Sequence, residues 1–234
     1  VQPPAGNQVG FTLLDPSQTG VQFTNQLADF SAAQNRILES GSGVALGDID
    51  GDGWCDIYFC RLEGDNRLYR NLGGWKFEDI TDRAGVACPN QYSTGAVLAD
   101  VDGDGDLDLL VNSVGGGTRC FFNDGRGTFT ELTESRLARR YTGMSMALAD
   151  ADGDGDLDLY VANYGTTSYR DDPPGLKVEA RRVGGKIVVT PEDRFIAFNP
   201  MGTMVELMEL GERDFFYIND GTGRFLPVSW TGGS

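Results

Sequence analysis

The sequence predicts an all-β fold, a β-propeller of four-stranded antiparallel blades, on three observations. An acidic nine-residue segment occurs three times at near-constant spacing, an Asn-to-Phe turn element recurs downstream of it, and the 3.6-residue apolar period of a helix is missing outside one short segment. The acidic segments are Asp48–Asp56 (DIDGDGWCD), Asp100–Asp108 (DVDGDGDLD) and Asp150–Asp158 (DADGDGDLD), and their starts lie 52 and 50 residues apart. Four strands per repeat of this length describe one propeller blade.

Each unit reads as strand, acidic loop, strand, short loop, strand, Asn-Gly turn, strand. Small or apolar runs (GVALG, GAVLA, SMALA) precede the loops, and strand-like runs at residues 57–59, 109–111 and 159–161 follow them. The turns are Asn71–Phe77, Asn123–Phe129 and Asn219–Phe225, set between alternating runs as hairpin turns are. Asp56 precedes Asn71 by 15 residues, as Asp108 precedes Asn123, but Asp158 precedes Asn219 by 61. The third unit therefore carries an insertion, about 165–213. The expected blades cover about 41–85, 92–137 and 143–230, behind an N-terminal segment, 1–40. Within that segment, residues 11–15 resemble the fourth strands and are expected to form a ring-closing strand, and Ser31–Glu39 is the one expected helix. Inside the insertion, Lys186–Phe198 reads as a hairpin with a Pro-containing turn. Propellers use roughly four to eight blades, so the remaining blades are expected outside these three units.

Charge narrows the function. The 234 residues hold 35 acidic and 19 basic side chains and no histidine, for a net −16. Such a charge argues against nucleic acid as the main partner, because phosphate binding needs Lys and Arg clusters. No apolar run approaches the ~18 residues of a membrane span. Without histidine there is no Ser-His or Cys-His pair and no His-ligated zinc. Fourteen aspartates fall in the three acidic segments, and the rest of the chain is close to neutral.

Aspartates at positions 1, 3, 5 and 9 of a loop, with Gly at 6, gather four carboxylates around one point. An all-oxygen donor set of this charge selects a hard cation, calcium before softer metals. The expected ligands are Asp48, Asp50, Asp52 and Asp56 with the Trp54 carbonyl; Asp100, Asp102, Asp104 and Asp108 with the Asp106 carbonyl; and Asp150, Asp152, Asp154 and Asp158 with the Asp156 carbonyl. The side chains of Asp106 and Asp156 are expected to face solvent. An EF-hand is excluded because position 12 is Phe59, Val111 or Val161 where that loop needs Glu. Even spacing assigns the three Ca²⁺ ions a structural role, stapling strands within a blade. Of four cysteines, Cys55, Cys60, Cys88 and Cys120, none lies in a CxxC, and the blade scheme makes Cys60–Cys88 the candidate disulfide.

The Asp-x-Asp-x-Asp-Gly-x-x-Asp loops between strands resemble FG-GAP/VCBS repeats, as in integrin α-subunit propellers. More narrowly, Gly20–Thr24, Ser40–Gly53, Tyr69–Asn71 and Phe77–Gly85 are similar to the cartilage acidic protein-like family, whose bacterial members often carry an ASPIC/UnbV region. The resemblance implies a secreted, seven-bladed calcium propeller with its signal peptide removed, used for adhesion or scaffolding. A non-catalytic module binding a protein or glycan, with no catalytic residues, is the first expectation. The alternatives are a polysaccharide-active extracellular enzyme and a structural subunit of a larger assembly. The insertion holds Arg170, Lys177, Arg181, Arg182, Lys186 and Arg194 with Tyr169, Phe195 and Phe198, and is the candidate partner surface.

Overall fold

Three four-stranded antiparallel sheets form the body of the protein. The structure, a computed structural model, describes residues 11–138, 140–168, 171, 177–192, 194–198 and 206–228. The first sheet runs β1 (Val44–Gly47), β2 (Asp56–Phe59), β3 (Arg67–Asn71) and β4 (Phe77–Asp79), paired in sequence order. The second repeats it with β5 (Ser93–Ala99), β6 (Asp108–Ser113), β7 (Gly117–Asn123) and β8 (Phe129–Glu131). In the third, β9 (Gly143–Ala149) and β10 (Asp158–Asn163) pair with each other as before. The next two strands arrive late: β15 (Phe215–Asn219) pairs with β10, and β16 (Phe225–Val228) with β15.

The expected insertion is thus looped out between the second and third strands of one sheet, which close over it with their register intact. Its own strands are β11 (Glu179–Val183), β12 (Lys186–Thr190), β13 (Phe195–Phe198) and β14 (Glu206–Glu209). The hairpin expected over Lys186–Phe198 does not form. Instead β11 pairs with β12 across Gly184-Gly185, and β13 pairs with β14. Both glycines have positive φ, 58° and 82°, as a two-residue hairpin turn requires, and that tight turn wins over the Pro191 loop. Tyr169 and Arg170 lie outside the described residues.

The sheets pack face to face and do not close on themselves. One apolar cluster joins Ala45, Tyr58 and Leu68 of the first sheet to Leu109, Val111 and Phe121 of the second. Another joins Leu110 and Cys120 of the second to Leu159, Tyr217 and Phe225 of the third. Side chains alternate along a strand, so β6 serves both clusters, and all six of its residues are buried. Among the described residues the first sheet has such a neighbour on one face only: Ala45 is buried while Val44 and Leu46 are exposed.

The strand expected at residues 11–15 is also absent. Asp15 is instead the N-cap of a short helix, α1 (Pro16–Thr19). Its carboxylate accepts from the Ser17 amide at 2.8 Å, and Gln18 reaches back to the Asp15 amide at 3.3 Å, a capping box. Residues 22–26 then run along the outer part of the first sheet, where Phe23 stacks on Phe59 at 4.6 Å and the Leu62 amide donates to Asn25. The expected helix divides into α2 (Asp29–Gln34) and a 3₁₀ turn (Arg36–Ser40), while α3 (Thr81–Ala84), not foreseen, links the first two sheets and ends at Gly85 in the left-handed region.

All four cysteines are free thiols, so the expected Cys60–Cys88 bridge is not formed. Cys60, Cys88 and Tyr58 share the first apolar cluster, with the Tyr58 hydroxyl 3.6 Å from the Cys88 sulfur. Burial pushes the Cys60 thiol up to about 12, with the neighbouring Cys88 adding to it. These thiols behave as small apolar core residues.

Candidate metal centres

Each acidic loop spans the turn from the first strand of a sheet to the second. Three carboxylates converge in every one: Asp48, Asp50 and Asp56; Asp100, Asp102 and Asp108; Asp150, Asp152 and Asp158. In each triad the ligand atoms lie within 4.8 Å of one another, and each triad could hold a metal ion.

The backbone arranges this convergence. The first aspartate collects amides from the far side of the loop: Gly53 donates to Asp48 at 2.8 Å, Gly105 to Asp100 at 3.1 Å and Gly155 to Asp150 at 3.2 Å. That return needs φ of 85°, 95° and 99° at these glycines, a conformation a side chain would strain. Position 5 turns to the loop itself, with Asp52, Asp104 and Asp154 each accepting the amide two residues on at 2.9–3.0 Å. These three aspartates stand outside the triads, although they were expected among the ligands.

The ninth position is the anchor. Asp56, Asp108 and Asp158 open the second strand of each sheet and are fully buried. One oxygen of each accepts the amide of loop position 2, from Ile49, Val101 or Ala151, at 2.9–3.1 Å. The other accepts the amide of the Asn that ends the third strand, from Asn71, Asn123 or Asn219, at 2.7–3.0 Å. Burial raises Asp108 to about 6 despite those two amides, and raises Asp56 in the same way, with Asp50 and Asp52 adding repulsion.

The asparagine side chains carry a connection that the repeat pattern conceals. Asn123 Nδ2 donates to the Ile49 carbonyl of the preceding loop at 2.8 Å as well as to Leu107 at 3.1 Å. Asn219 Nδ2 does the same to Val101 at 2.7 Å and Leu157 at 3.2 Å. Every turn asparagine therefore braces its own loop, and the second and third also hold the loop of the sheet before. The recurring Asn was visible in the sequence; its partner on another repeat was not.

Position 7 differs from expectation. Asp106 and Asp156 do not simply face solvent but are half-buried against Gly125 and Gly221 of the Asn-x-Gly turns, where any Cβ would collide with the carboxylate. Trp54 lies over Gly73 in the same way.

The donor set fits a hard cation: the ligand atoms that converge at each site are carboxylate oxygens. The first loop adds a direct sign, because a side-chain cation already sits in it. Arg70 Nε is hydrogen-bonded to Asp50 and Arg70 Nη2 to Asp52 at 3.0 Å. The residues equivalent to Arg70, Phe122 and Ile218, carry no charge, so among the described residues the other two loops have no counter-ion from this position.

A sequence profile for the FG-GAP-like repeat matches residues 48–111 and 100–161, two windows that each begin on an acidic loop and end in the second strand of the next sheet. The chain carries FG-GAP-like repeats. Its repeats are also similar to cartilage acidic protein 1, bearing out the resemblance read from the residues. Identity is 34% over 82 residues with the Mus musculus protein, 35% over 81 with the Homo sapiens protein and 30% over 101 with the Xenopus tropicalis protein. Those alignments cover 35%, 35% and 42% of this chain but 13%, 12% and 16% of the relatives' length. Among the described residues no helix is long and apolar enough to cross a membrane.

Proposed function

We propose that these FG-GAP-like repeats belong to a secreted β-propeller stapled by calcium, which acts as a non-catalytic binding or scaffold module. The observation that carries this reading is the threefold recurrence of a carboxylate triad, anchored by one buried aspartate and oriented by backbone amides. In the first loop the cation would be held by Asp48, Asp50 and Asp56, with Asp52 and the Trp54 carbonyl completing the shell. Asp100, Asp102 and Asp108 with Asp104 and the Asp106 carbonyl would serve the second, and Asp150, Asp152 and Asp158 with Asp154 and the Asp156 carbonyl the third. Bound Ca²⁺ supplies positive charge at the point where the carboxylates repel; the chain positions those carboxylates and ties them to the third strand.

The exposed outer face of the first sheet supports further blades beside it. Val44 and Leu46 occupy the register of Ala96 and Leu98, which pack against the preceding sheet. The likeness to proteins named for cartilage supports an extracellular setting, and the insertion is the surface we assign to a protein or glycan partner.

Chelation tests the calcium reading. A site whose Kd lies 100-fold below ambient calcium contributes about 2.7 kcal/mol. Three such sites in a domain of this size correspond to a fall in Tm on the order of 20 °C when calcium is stripped with EGTA. A melting curve indifferent to EGTA and to added Ca²⁺ would sink the proposal.

A further inference from the structure

The base of the insertion, where β10 leaves the third sheet and β15 returns to it, encloses a cavity of about 810 Å³. Tyr141, Thr166, Thr167, Arg194, Leu210 and Arg213 are on its wall. Its size falls in the range of small-molecule sites, large for a single inorganic anion and suited to a few sugar units.

The wall of this cavity is balanced in charge, Arg194 and Arg213 against Glu209 and Glu212, in a chain that is strongly acidic overall. Its acids are engaged from within: Glu209 pairs with Arg194 at 3.0 Å, and Glu212 accepts the Thr142 amide at 2.7 Å together with the Thr166 amide and hydroxyl at 3.1 and 2.5 Å. The adjacent Asp214 accepts from the Tyr160 hydroxyl at 2.6 Å and the Asn163 amide at 2.7 Å. One guanidinium of the wall remains, Arg213, and Arg140 lies beside the cavity against the same tyrosine. Arg213 lies over Phe215 at 4.9 Å and over Tyr141 at 5.8 Å; Arg140 lies over Tyr141 at 5.2 Å and donates to its hydroxyl at 3.1 Å. Neither has a carboxylate partner among the described residues, whereas Arg36, Arg67, Arg70, Arg83, Arg119, Arg194 and Arg224 all do. In a chain of net charge −16, two arginines that stack on aromatic rings and spend donors only on a tyrosine hydroxyl keep further N–H groups for an anion.

We propose that this cavity binds an acidic oligosaccharide, with a sugar carboxylate held by Arg213 and Arg140 and the sugar hydroxyls facing Thr167 and the backbone of Gly165 and Gly211. Stacking fixes the plane of each guanidinium, so a planar carboxylate meets a preset fork of N–H donors. The same two arginines hold the Tyr141 phenol below its usual range, against the burial that would raise it, which agrees with a positive field at this spot. The proposal deepens the binding role given to the insertion and rests on that reading for its extracellular setting, but needs no metal in the acidic loops.

The test is calorimetric titration of the calcium-saturated chain with a glucuronic acid-containing tetrasaccharide, its carboxyl-reduced neutral form and a tetraglutamate peptide. Binding of the acidic sugar is expected, at least tenfold weaker for the neutral form, and weakened by salt. Arg140→Gln, an exposed change, and Arg213→Lys, which keeps charge but loses the planar fork, should each cost about tenfold or more. Equal binding of the neutral sugar, unchanged affinity in the double variant, no binding by the native chain, or binding of tetraglutamate alone each overturns the proposal. Melting curves with and without EGTA on the same samples separate the two readings. Sugar binding by a chain whose melt ignores EGTA removes the calcium staple and keeps this site; an EGTA-sensitive melt without sugar binding does the reverse.

Discussion

If the acidic loops hold calcium as proposed, Arg70 competes with the ion for the first loop, and removing it should tighten that site alone. Its Nη2 lies 3.0 Å from Asp52, and its Nε contacts Asp50, one of the converging triad. At an effective dielectric constant of ~20, a charge pair at that distance attracts by about 5 kcal/mol. The Arg70 side chain is 33% exposed, and desolvation and solvent screening cancel most of that gross figure. A residual of about 1.4 kcal/mol fits a charge-assisted hydrogen bond, and equals a factor of ~10 in affinity. Arg70→Gln should therefore raise calcium affinity in the first loop about tenfold and leave the other two unchanged. Terbium luminescence isolates the site, because Trp54 stands in the first loop where the others have Asp106 and Asp156, and it sensitises an ion bound beside it. Calcium displacement of that signal gives the affinity. Arg83→Gln is the control: Arg83 borders the same loop but pairs with Glu78 at 2.9 Å. Equal affinity in the native chain and Arg70→Gln, or an equal gain in Arg83→Gln, would refute direct competition.

Other changes probe the repeat and its core. Trp75 has φ of 62° where the later repeats place Gly127 and Gly223, and it is exposed, so Trp75→Gly should raise stability to urea by about 1 kcal/mol; a lower urea midpoint would contradict the strain argument. Asn123→Ala removes the donors to Ile49 and Leu107 and should cost about 2–3 kcal/mol, with the amides of residues 48–52 exchanging faster; unaltered exchange in that loop would show that the bond between sheets is idle. Iodoacetamide at pH 8 should label the exposed Cys55 in the native chain, and Cys60, Cys88 and Cys120 only after unfolding; early labelling of any buried thiol would contradict the packing described.

What was legible in the sequence followed from local chemistry. The spacing of Asp48, Asp50 and Asp56 demands a turn that brings carboxylates together, and a strict period with one turn type repeats one unit of structure. The readings that failed lost to stronger local signals or to distant contacts. Asp15-Pro-Ser-Gln18 is a capping box, and it outweighed the likeness of Phe11–Asp15 to a fourth strand. Gly184-Gly185 is a better hairpin turn than the Pro191 segment that was preferred. The role of Asp106 against Gly125 was half visible, since both recur as Asp156 and Gly221, but a one-dimensional repeat does not say which of its parts touch. For the same reason nothing local marked Arg140, Tyr141 and Arg213 as neighbours across more than 70 residues of chain.

The asparagine that reaches back to the preceding loop gives the stack of sheets a direction. Asn123 bonds into the first acidic loop and Asn219 into the second, always from the later sheet to the earlier. A force that separates neighbouring sheets is delivered to the Ile49 and Val101 carbonyls, one residue past the first aspartate of each loop. The acidic loops therefore lie on the path by which one sheet pulls on the next, so a change that stiffens a loop also stiffens the joint to the following sheet.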